Sequence, residues 1–270
     1  MTSIYFVYRS TAGDNGKARH SYFMKDLALE SFARAVSHVQ STTTFLNDGP
    51  MPSPRLNRMH SLGKVRGLPG VGYSRSYRVA LSMLDSHDWP DDEFVYFAGD
   101  QYPNMDNIFV VLRWAAASIK VADFFILYNH PDCETLPVHR EYRPSRRLWS
   151  AGGHTWRPVR STCMSFCARV GALRRAPWLH FLASRNDCRG DFDLWSVSQR
   201  APGFRVLGSP VDPWSLADLE ALKLAAKGLK GRATGLLVAP FPGPACQMQL
   251  PHVSDDRVWS AVAERACRAS

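Results

Sequence analysis

Short apolar runs and helix-length amphipathic segments alternate along the first half of the chain. The apolar runs are rich in aromatic and β-branched residues, as strands are, and several end at Gly, Asp or Asn turn signals. The segments between them carry apolar residues every three or four positions, as one face of a helix does. We predict strands at 4–8, 42–46, 94–98, 124–128 and 162–170, and helices at 23–38, 74–85 and 105–122.

This alternation predicts the fold class. Strands separated by helices are typical of a parallel sheet with helices on its faces. We therefore expect an α/β protein with a mostly parallel sheet flanked by helices, in a single domain of 270 residues. Residues 50–72 are rich in Pro, Gly and Arg and have weak periodicity, so we predict a loop over the site there rather than a core element.

The charge balance favours anionic ligands. The chain has 33 Lys and Arg against 24 Asp and Glu, a formal net charge of +9. Such a surface attracts polyanions and anionic small molecules such as sugar nucleotides. Arginines cluster with aromatic residues between 140 and 160, which suits a phosphate-rich acceptor or single-stranded nucleic acid, or equally a solvated basic loop. The residues are Arg140, Tyr142, Arg143, Arg146, Arg147, Trp149, Trp156, Arg157 and Arg160.

The sequence lacks the motifs that are typical of several classes of protein. The six cysteines form no Cys-x-x-Cys pair, so we expect buried free thiols, Cys163 and Cys167 among them, rather than a zinc site or disulfides. There is no Gly-x-Gly-x-x-Gly, phosphate-loop or Gly-x-Ser-x-Gly motif, which weakens dehydrogenase, nucleoside-triphosphatase and hydrolase interpretations. No apolar run approaches the roughly 20 residues of a membrane span and no signal-peptide pattern is present, so we expect a cytoplasmic protein.

Two predicted strands end at acidic residues. Residues 94–98 run into Gly99-Asp100-Gln101-Tyr102, and residues 42–46 run into Asn47-Asp48-Gly49. Ligands of open α/β sheets bind at the carboxyl ends of the strands. Asp is also common in any turn that ends a strand. Position alone therefore leaves two interpretations of Asp48 and Asp100 open, and an ordinary turn residue is favoured over a ligand-binding acid until other residues are considered.

These two turns, with a Gly72-x-Ser74-x-Ser76 segment that opens a helix, resemble a nucleotide-sugar glycosyltransferase of the GT-A fold, similar to glycosyltransferase family 2. The resemblance implies a GT-A-like fold, contact between Asp48 and the nucleoside, and a divalent metal, Mn²⁺ or Mg²⁺, held by Asp100 on the donor diphosphate. The predicted donor-binding residues are Arg9, Asp48, Ser76 and Asp100. One feature departs from the family: the turn at Asp100 has one carboxylate where the motif usually has two.

The resemblance also assigns roles in the second half of the chain, where it is looser. It divides the domain into a nucleotide-sugar-binding half, 1–128, and an acceptor-binding half, 129–270. Asp191 and Asp193 precede a helical stretch and are the candidates for the base that deprotonates the acceptor hydroxyl. His252 is the candidate second metal ligand, since an imidazole beside Asp100 would partly replace the missing carboxylate.

The predicted function is the transfer of a sugar from a nucleotide-sugar donor to a hydroxyl acceptor. The net positive charge of the chain is compatible with a nucleic acid as that acceptor. A modified base in DNA, of the kind that some phages glycosylate, is one such acceptor. Two alternatives stay open. One is a non-catalytic, basic nucleic-acid-binding protein. The other is a sugar nucleotidyltransferase, for which residues 13–19 are a partial match to the expected Gly-rich basic loop.

Overall fold

The protein is described from a computed structural model. Strands and helices alternate from the N-terminus, and a further group of strands follows. The described residues are 2–13, 24–101, 103–120, 122–127, 149–159, 165–174, 245–248, 261 and 264–265. The strands are β1 Ile4–Thr11, β2 Thr43–Asp48, β3 Lys64–Leu68, β4 Phe94–Gly99, β5 Phe124–Ile126, β6 Trp149–Ala151, β7 His154–Val159, β8 Phe166–Arg169 and β9 Ala245–Met248. The helices are α1 Lys25–Ser37, α2 Ser53–Leu62, α3 Tyr73–Ser86, α4 Ile108–Ser118 and α5 Val170–Arg174.

The described strands form one sheet in the order β3-β2-β1-β4-β8-β5-β9-β7-β6. The pairs among β3, β2, β1 and β4 are parallel, and so is the pair β5–β9. Strand β8 runs antiparallel between β4 and β5, and β7 runs antiparallel between β9 and β6. Only β7 and β8 thus oppose the common direction within this part of the chain, and the predicted class, an α/β protein with a mostly parallel sheet flanked by helices, is confirmed.

The central strands are apolar on both faces because helices cover both sides of the sheet. On one side, Phe6 of β1 contacts Phe32 of α1 and Phe109 of α4, with ring centroids 5.7 and 4.6 Å apart. On the other side, Val7 belongs to a second cluster with Leu81 of α3. Burial of each large apolar side chain contributes about 1.5–3 kcal/mol. The two clusters pack against both faces of β1, so the core fixes the position of the polar carboxyl end of this strand.

The prediction of a loop at 50–72 is wrong, because this segment contains α2 and β3. Met59 is the only residue of α2 that is buried, and β3 is an edge strand with mostly exposed side chains. Such elements carry little hydrophobic periodicity. They are stabilised by pairing of β3 with β2 and by the bidentate ion pair of Arg58 with Glu30 of α1, at 2.7 and 2.8 Å.

The other predicted elements differ from the structure mainly at their ends. Strand β1 continues to Thr11 because Arg9 and Ser10 keep their backbone pairing with β2 although the apolar run has ended. Helix α4 is shorter than predicted, and β8 covers only the last part of 162–170. The hairpin of β6 and β7 falls at the end of the segment that we read only as a basic, aromatic cluster. Cys167 is a buried free thiol, as expected, whereas Cys163 lies outside the described residues.

No helix in the part of the chain that the structure describes has the length and hydropathy that a bilayer span requires.

Candidate functional site

The carboxyl ends of β1, β2 and β4 meet at one edge of the sheet. Strand β1 lies in the middle, with Thr11 opposite Asp48 of β2 and Arg9 opposite Gly99 of β4. The backbone N–H of Asp100 donates a hydrogen bond to the carbonyl oxygen of Arg9 at 3.1 Å. The parallel pairing therefore brings Arg9, Asp48 and Asp100, three of the predicted donor-binding residues, to the same edge.

Asp100 is buried, with 4% of its surface exposed. Its Oδ2 accepts hydrogen bonds from the Thr11 backbone N–H at 3.0 Å and from the Ser10 hydroxyl at 3.2 Å. The same oxygen forms an ion pair with Lys25 Nζ at 3.0 Å. These contacts join the end of β4 to the end of β1 and to the start of α1.

Lys25 is the first residue of α1, and its ammonium group is enclosed by oxygen atoms. Besides its contact with Asp100, Nζ donates to the backbone carbonyls of Thr11 at 2.7 Å and Gly13 at 2.6 Å. Lys25 Nζ therefore donates two hydrogen bonds to carbonyl oxygens, and its charge is paired with the Asp100 carboxylate. The sequence reasoning missed this residue. A signal was present, since a cation is unfavourable at the N-terminus of a helix unless something compensates it.

Arg9 lies on the opposite face of β1, against the start of α3. Its Nη2 donates to the Tyr73 carbonyl oxygen at 2.7 Å and to the Ser76 hydroxyl at 2.8 Å. The guanidinium also lies 4.8 Å from the ring centroid of Tyr73 and 5.5 Å from that of Tyr77. Burial lowers the pKa of Arg9 below its ordinary value, although arginine keeps its charge in proteins. The structure thus joins Ser76, the fourth predicted donor-binding residue, directly to Arg9.

Asp48 holds the turn that leads into α3. Its Oδ1 accepts from the Val71 backbone N–H at 2.7 Å, and its Oδ2 accepts from the Gly72 N–H at 2.8 Å. Gly72 has a φ of 83°, a conformation that side chains with a Cβ rarely adopt. Both carboxylate oxygens therefore fix the backbone that places Tyr73 and Ser76 beside Arg9.

Polar atoms without partners also lie near this edge. The Tyr8 hydroxyl, Arg9 Nε and Asn47 Oδ1 are buried and have no hydrogen-bond partner in the described structure. Burial raises the pKa of Tyr8 well above its ordinary value, and the negative charge of Asp100 adds to that effect. Buried polar atoms are normally paired, so unpaired ones mark places where a ligand or water can add hydrogen bonds.

The remaining predicted site residues cannot be placed. Asp191, Asp193 and His252 lie outside the described residues, and so do most of the arginines between 140 and 160. Within the described ranges, no group of three or more His, Cys, Asp or Glu side chains is arranged to hold a metal ion.

No protein-family model matches the chain, and no curated protein matches it. Among solved structures, glucosyl-3-phosphoglycerate synthase from Mycobacterium tuberculosis aligns at 11% identity over 85% of this chain and 80% of that one, with a TM-score of 0.45. The same enzyme in complex with Mg²⁺ and UDP aligns at 12% identity and a TM-score of 0.40, over 64% of this chain and 58% of that one. In that match, this chain spans less than two thirds of the enzyme's length.

Two further solved structures show a similar level of likeness. TarS 1–349 from S. aureus aligns at 12% identity over 72% of this chain and 54% of that one, with a TM-score of 0.42. A 4-diphosphocytidyl-2C-methyl-D-erythritol synthase aligns at 10% identity over 84% of this chain and 100% of that one, with a TM-score of 0.40. The sequence identities and TM-scores of these matches are low, so the matches do not indicate the activity of this chain.

Proposed function

We propose that the protein is a nucleotide-sugar glycosyltransferase whose donor binds at the carboxyl ends of β1, β2 and β4. The observation that carries this proposal is the pair of cations at the end of the central strand, Arg9 on one face and Lys25 on the other. A nucleotide sugar presents a diphosphate between a nucleoside and a sugar. The Arg9 guanidinium and the ammonium group of Lys25, whose charge Asp100 balances, are fixed positive groups at the ligand-binding edge of the sheet and suit that diphosphate.

The polar groups around the cations suit the rest of the donor. Tyr73 is half exposed, and the Arg9 guanidinium lies over its ring at 4.8 Å. An aromatic ring in this position can stack on a base. In this arrangement, Asp48 serves the donor through the turn that it holds.

The proposed reaction is a displacement at the anomeric carbon. A bond forms between the acceptor oxygen and that carbon, and the bond from the carbon to the diphosphate oxygen breaks. The electron pair leaves with the diphosphate, and the acceptor proton passes to a carboxylate, for which Asp191 and Asp193 stay our candidates. Positive charge held at the departing diphosphate stabilises the transition state. In this proposal, residues 129–270 bind the acceptor and residues 1–128 bind the donor.

The described surroundings of Asp100 do not fit the divalent metal that the resemblance implied. The described contacts of its carboxylate fall on Oδ2, which the Lys25 ammonium already neutralises. His252, the proposed second ligand, lies outside the described residues. We therefore derive no step of the reaction through a metal ion.

The proposed acceptor is a separate hypothesis with its own test. A modified base in DNA is suggested by the net charge and by the arginines between 140 and 160, which mostly lie outside the described residues. Incubation with hydroxymethylated and unmodified DNA, with a radiolabelled donor, tests it directly. Incorporation into the modified DNA alone supports the acceptor, and incorporation into neither excludes it.

The transferase activity itself is tested with a panel of nucleotide sugars. We expect at least one to raise the melting temperature of the protein, because a ligand that binds the folded state stabilises it. That donor should be hydrolysed slowly without acceptor. Asp100→Ala should slow the hydrolysis while polyanion binding is retained, because Lys25 loses the carboxylate that holds its ammonium group. If no nucleotide sugar shifts the melting temperature, the transferase proposal is wrong, and retained binding of polyanions then favours the non-catalytic alternative.

A further inference from the structure

We propose that the ammonium group of Lys25 is the resident cation of the Asp100 site, so that the protein binds its donor diphosphate without a divalent metal. This proposal rests on the proposed function, since it concerns the same site. It concerns the charge that faces the diphosphate and names Lys25 as the residue that supplies it.

The surroundings of the ammonium are those of a cation site. One carboxylate oxygen and two backbone carbonyl oxygens lie 2.6 to 3.0 Å from Lys25 Nζ. Carboxylate and carbonyl oxygens are also the ligands that Mg²⁺, Mn²⁺ and Ca²⁺ take in proteins. The distances are those of charge-assisted hydrogen bonds to an ammonium group. Lys25 therefore uses Oδ2 of Asp100 and two carbonyl oxygens, which a metal at this position would otherwise contact.

Burial makes the two cations alternatives to each other. The side chains of Lys25 and Asp100 are 8% and 6% exposed, so water screens their charges poorly. A divalent ion on Asp100 would lie next to the ammonium with a single carboxylate to balance both. For Lys25 to leave, the carbonyls of Thr11 and Gly13 would have to give up its hydrogen bonds. In the protein without donor, the site is neutral with lysine and would carry an excess of positive charge with a divalent metal added.

This assignment gives the single carboxylate a physical reason. A monovalent ammonium is balanced by one acid, whereas a divalent ion bound without other anions needs two. Asp100 is followed by Gln101 and its partner carries one charge, so the pair is balanced. The three oxygen contacts hold the Lys25 ammonium group in place, and its positive charge acts on the diphosphate of the donor.

The wild-type protein decides the proposal by calorimetric titration. After treatment with EDTA, it is titrated with UDP, GDP, ADP, CDP and dTDP, in EDTA and again in excess Mn²⁺. We expect at least one nucleotide to bind with dissociation constants that agree within about threefold in the two buffers. A gain in affinity of about tenfold or more with Mn²⁺ overturns the proposal and leaves the proposed function intact.

The absence of binding by every nucleotide in both buffers counts against the proposed function instead. In that case Mn²⁺ alone still tests the cation assignment, because a metal that occupies the Asp100 site raises the melting temperature. No shift supports Lys25 as the resident cation. A Mn²⁺-dependent shift that Asp100→Asn removes overturns the assignment.

A variant and its control give a second measurement. Lys25→Met should weaken nucleotide binding in EDTA by about tenfold, and Mn²⁺ should recover part of the loss by occupying the vacated oxygens. Lys120→Met removes an exposed lysine just after α4 and should bind as wild type does. Wild-type affinity in the Lys25→Met variant would overturn the proposal. If that variant does not fold, the titrations of the wild-type protein decide.

Discussion

Replacing Lys25 by Met removes the ammonium group and leaves a side chain of similar length in the same space. The Asp100 carboxylate, only 6% exposed, then has no cation beside it. Removing one partner of a buried ion pair costs about 3–5 kcal/mol, because the remaining charge is desolvated and unpaired. The Thr11 and Gly13 carbonyls also lose their hydrogen bonds. We expect the free energy of unfolding to fall by about 4 kcal/mol in total, a large share of the ~5–15 kcal/mol of an ordinary domain.

Asp100→Asn changes the same pair from the other side and should cost less. The amide oxygen can still accept the hydrogen bond from the Thr11 N–H, and the ammonium keeps two carbonyl contacts. A loss of about 2 kcal/mol is expected for removing a charged hydrogen-bond acceptor. In the double variant Lys25→Met/Asp100→Asn no unpaired carboxylate remains. Its loss should therefore be smaller than the sum of the two single losses by about 2 kcal/mol.

Urea unfolding followed by circular dichroism measures all four proteins, and linear extrapolation gives each free energy. Lys120→Met is the control for removing a lysine and should stay within about 0.5 kcal/mol of wild type. If the two single losses simply add in the double variant, the Lys25–Asp100 pair does not interact in solution. That result would refute both the geometry of the pair and the cation assignment built on it.

Three further measurements test the fold and the donor site. Gly63→Ala, at the end of α2 just before β3, would place a Cβ 2.3 Å from the Thr43 carbonyl oxygen and should destabilise by about 3 kcal/mol. Gly67→Ala, within β3 and with open space around it, should change stability by less than about 0.5 kcal/mol. Equal losses in urea would contradict the packing of β3. Burial raises the pKa of the Cys167 thiol, so above about pH 8.5 this thiol ionises in the unfolded chain but not in the folded protein. The free energy of unfolding should therefore fall with rising pH by up to about 1.4 kcal/mol per pH unit. Cys167→Ala should reduce this slope. The same slope in both proteins would show that the thiol is not buried. Arg9→Lys keeps a charge but loses the planar donor group, and should weaken nucleotide binding about tenfold by calorimetry; unchanged affinity would remove Arg9 from the donor site.

The elements that the sequence predicted correctly are those whose apolar residues face a core. Strand β4 and helix α3 bury their apolar residues against neighbouring elements, so periodicity shows them. Helix α2 and strand β3 were missed because they depend on contacts that hydropathy does not record. The ion pair of Arg58 with Glu30 and the backbone pairing of β3 with β2 are such contacts. An edge strand with exposed side chains looks like a loop in any single sequence.

The part of the site that the sequence could indicate follows from sheet geometry. Parallel strands end at a common edge, where ligands of such sheets bind, and the structure places Asp48 and Asp100 on the two sides of β1 at that edge. What those acids contact could not be predicted, because the contacts come from other elements. Asp48 binds the backbone of Val71 and Gly72, and Asp100 binds Lys25. Their roles toward a donor stay predictions.

The single carboxylate at Gly99-Asp100-Gln101 was read as one half of a metal site, with His252 as the candidate for the other half. In the structure, the charge that balances Asp100 belongs to a lysine. Lys25 begins α1, a position where the helix dipole disfavours positive charge, so the lysine needs a compensating anion nearby. A lysine at the start of a helix is unfavourable by itself, and a buried acid at the end of a strand needs a compensating charge. Together they form a neutral pair, because each residue supplies the charge that balances the other.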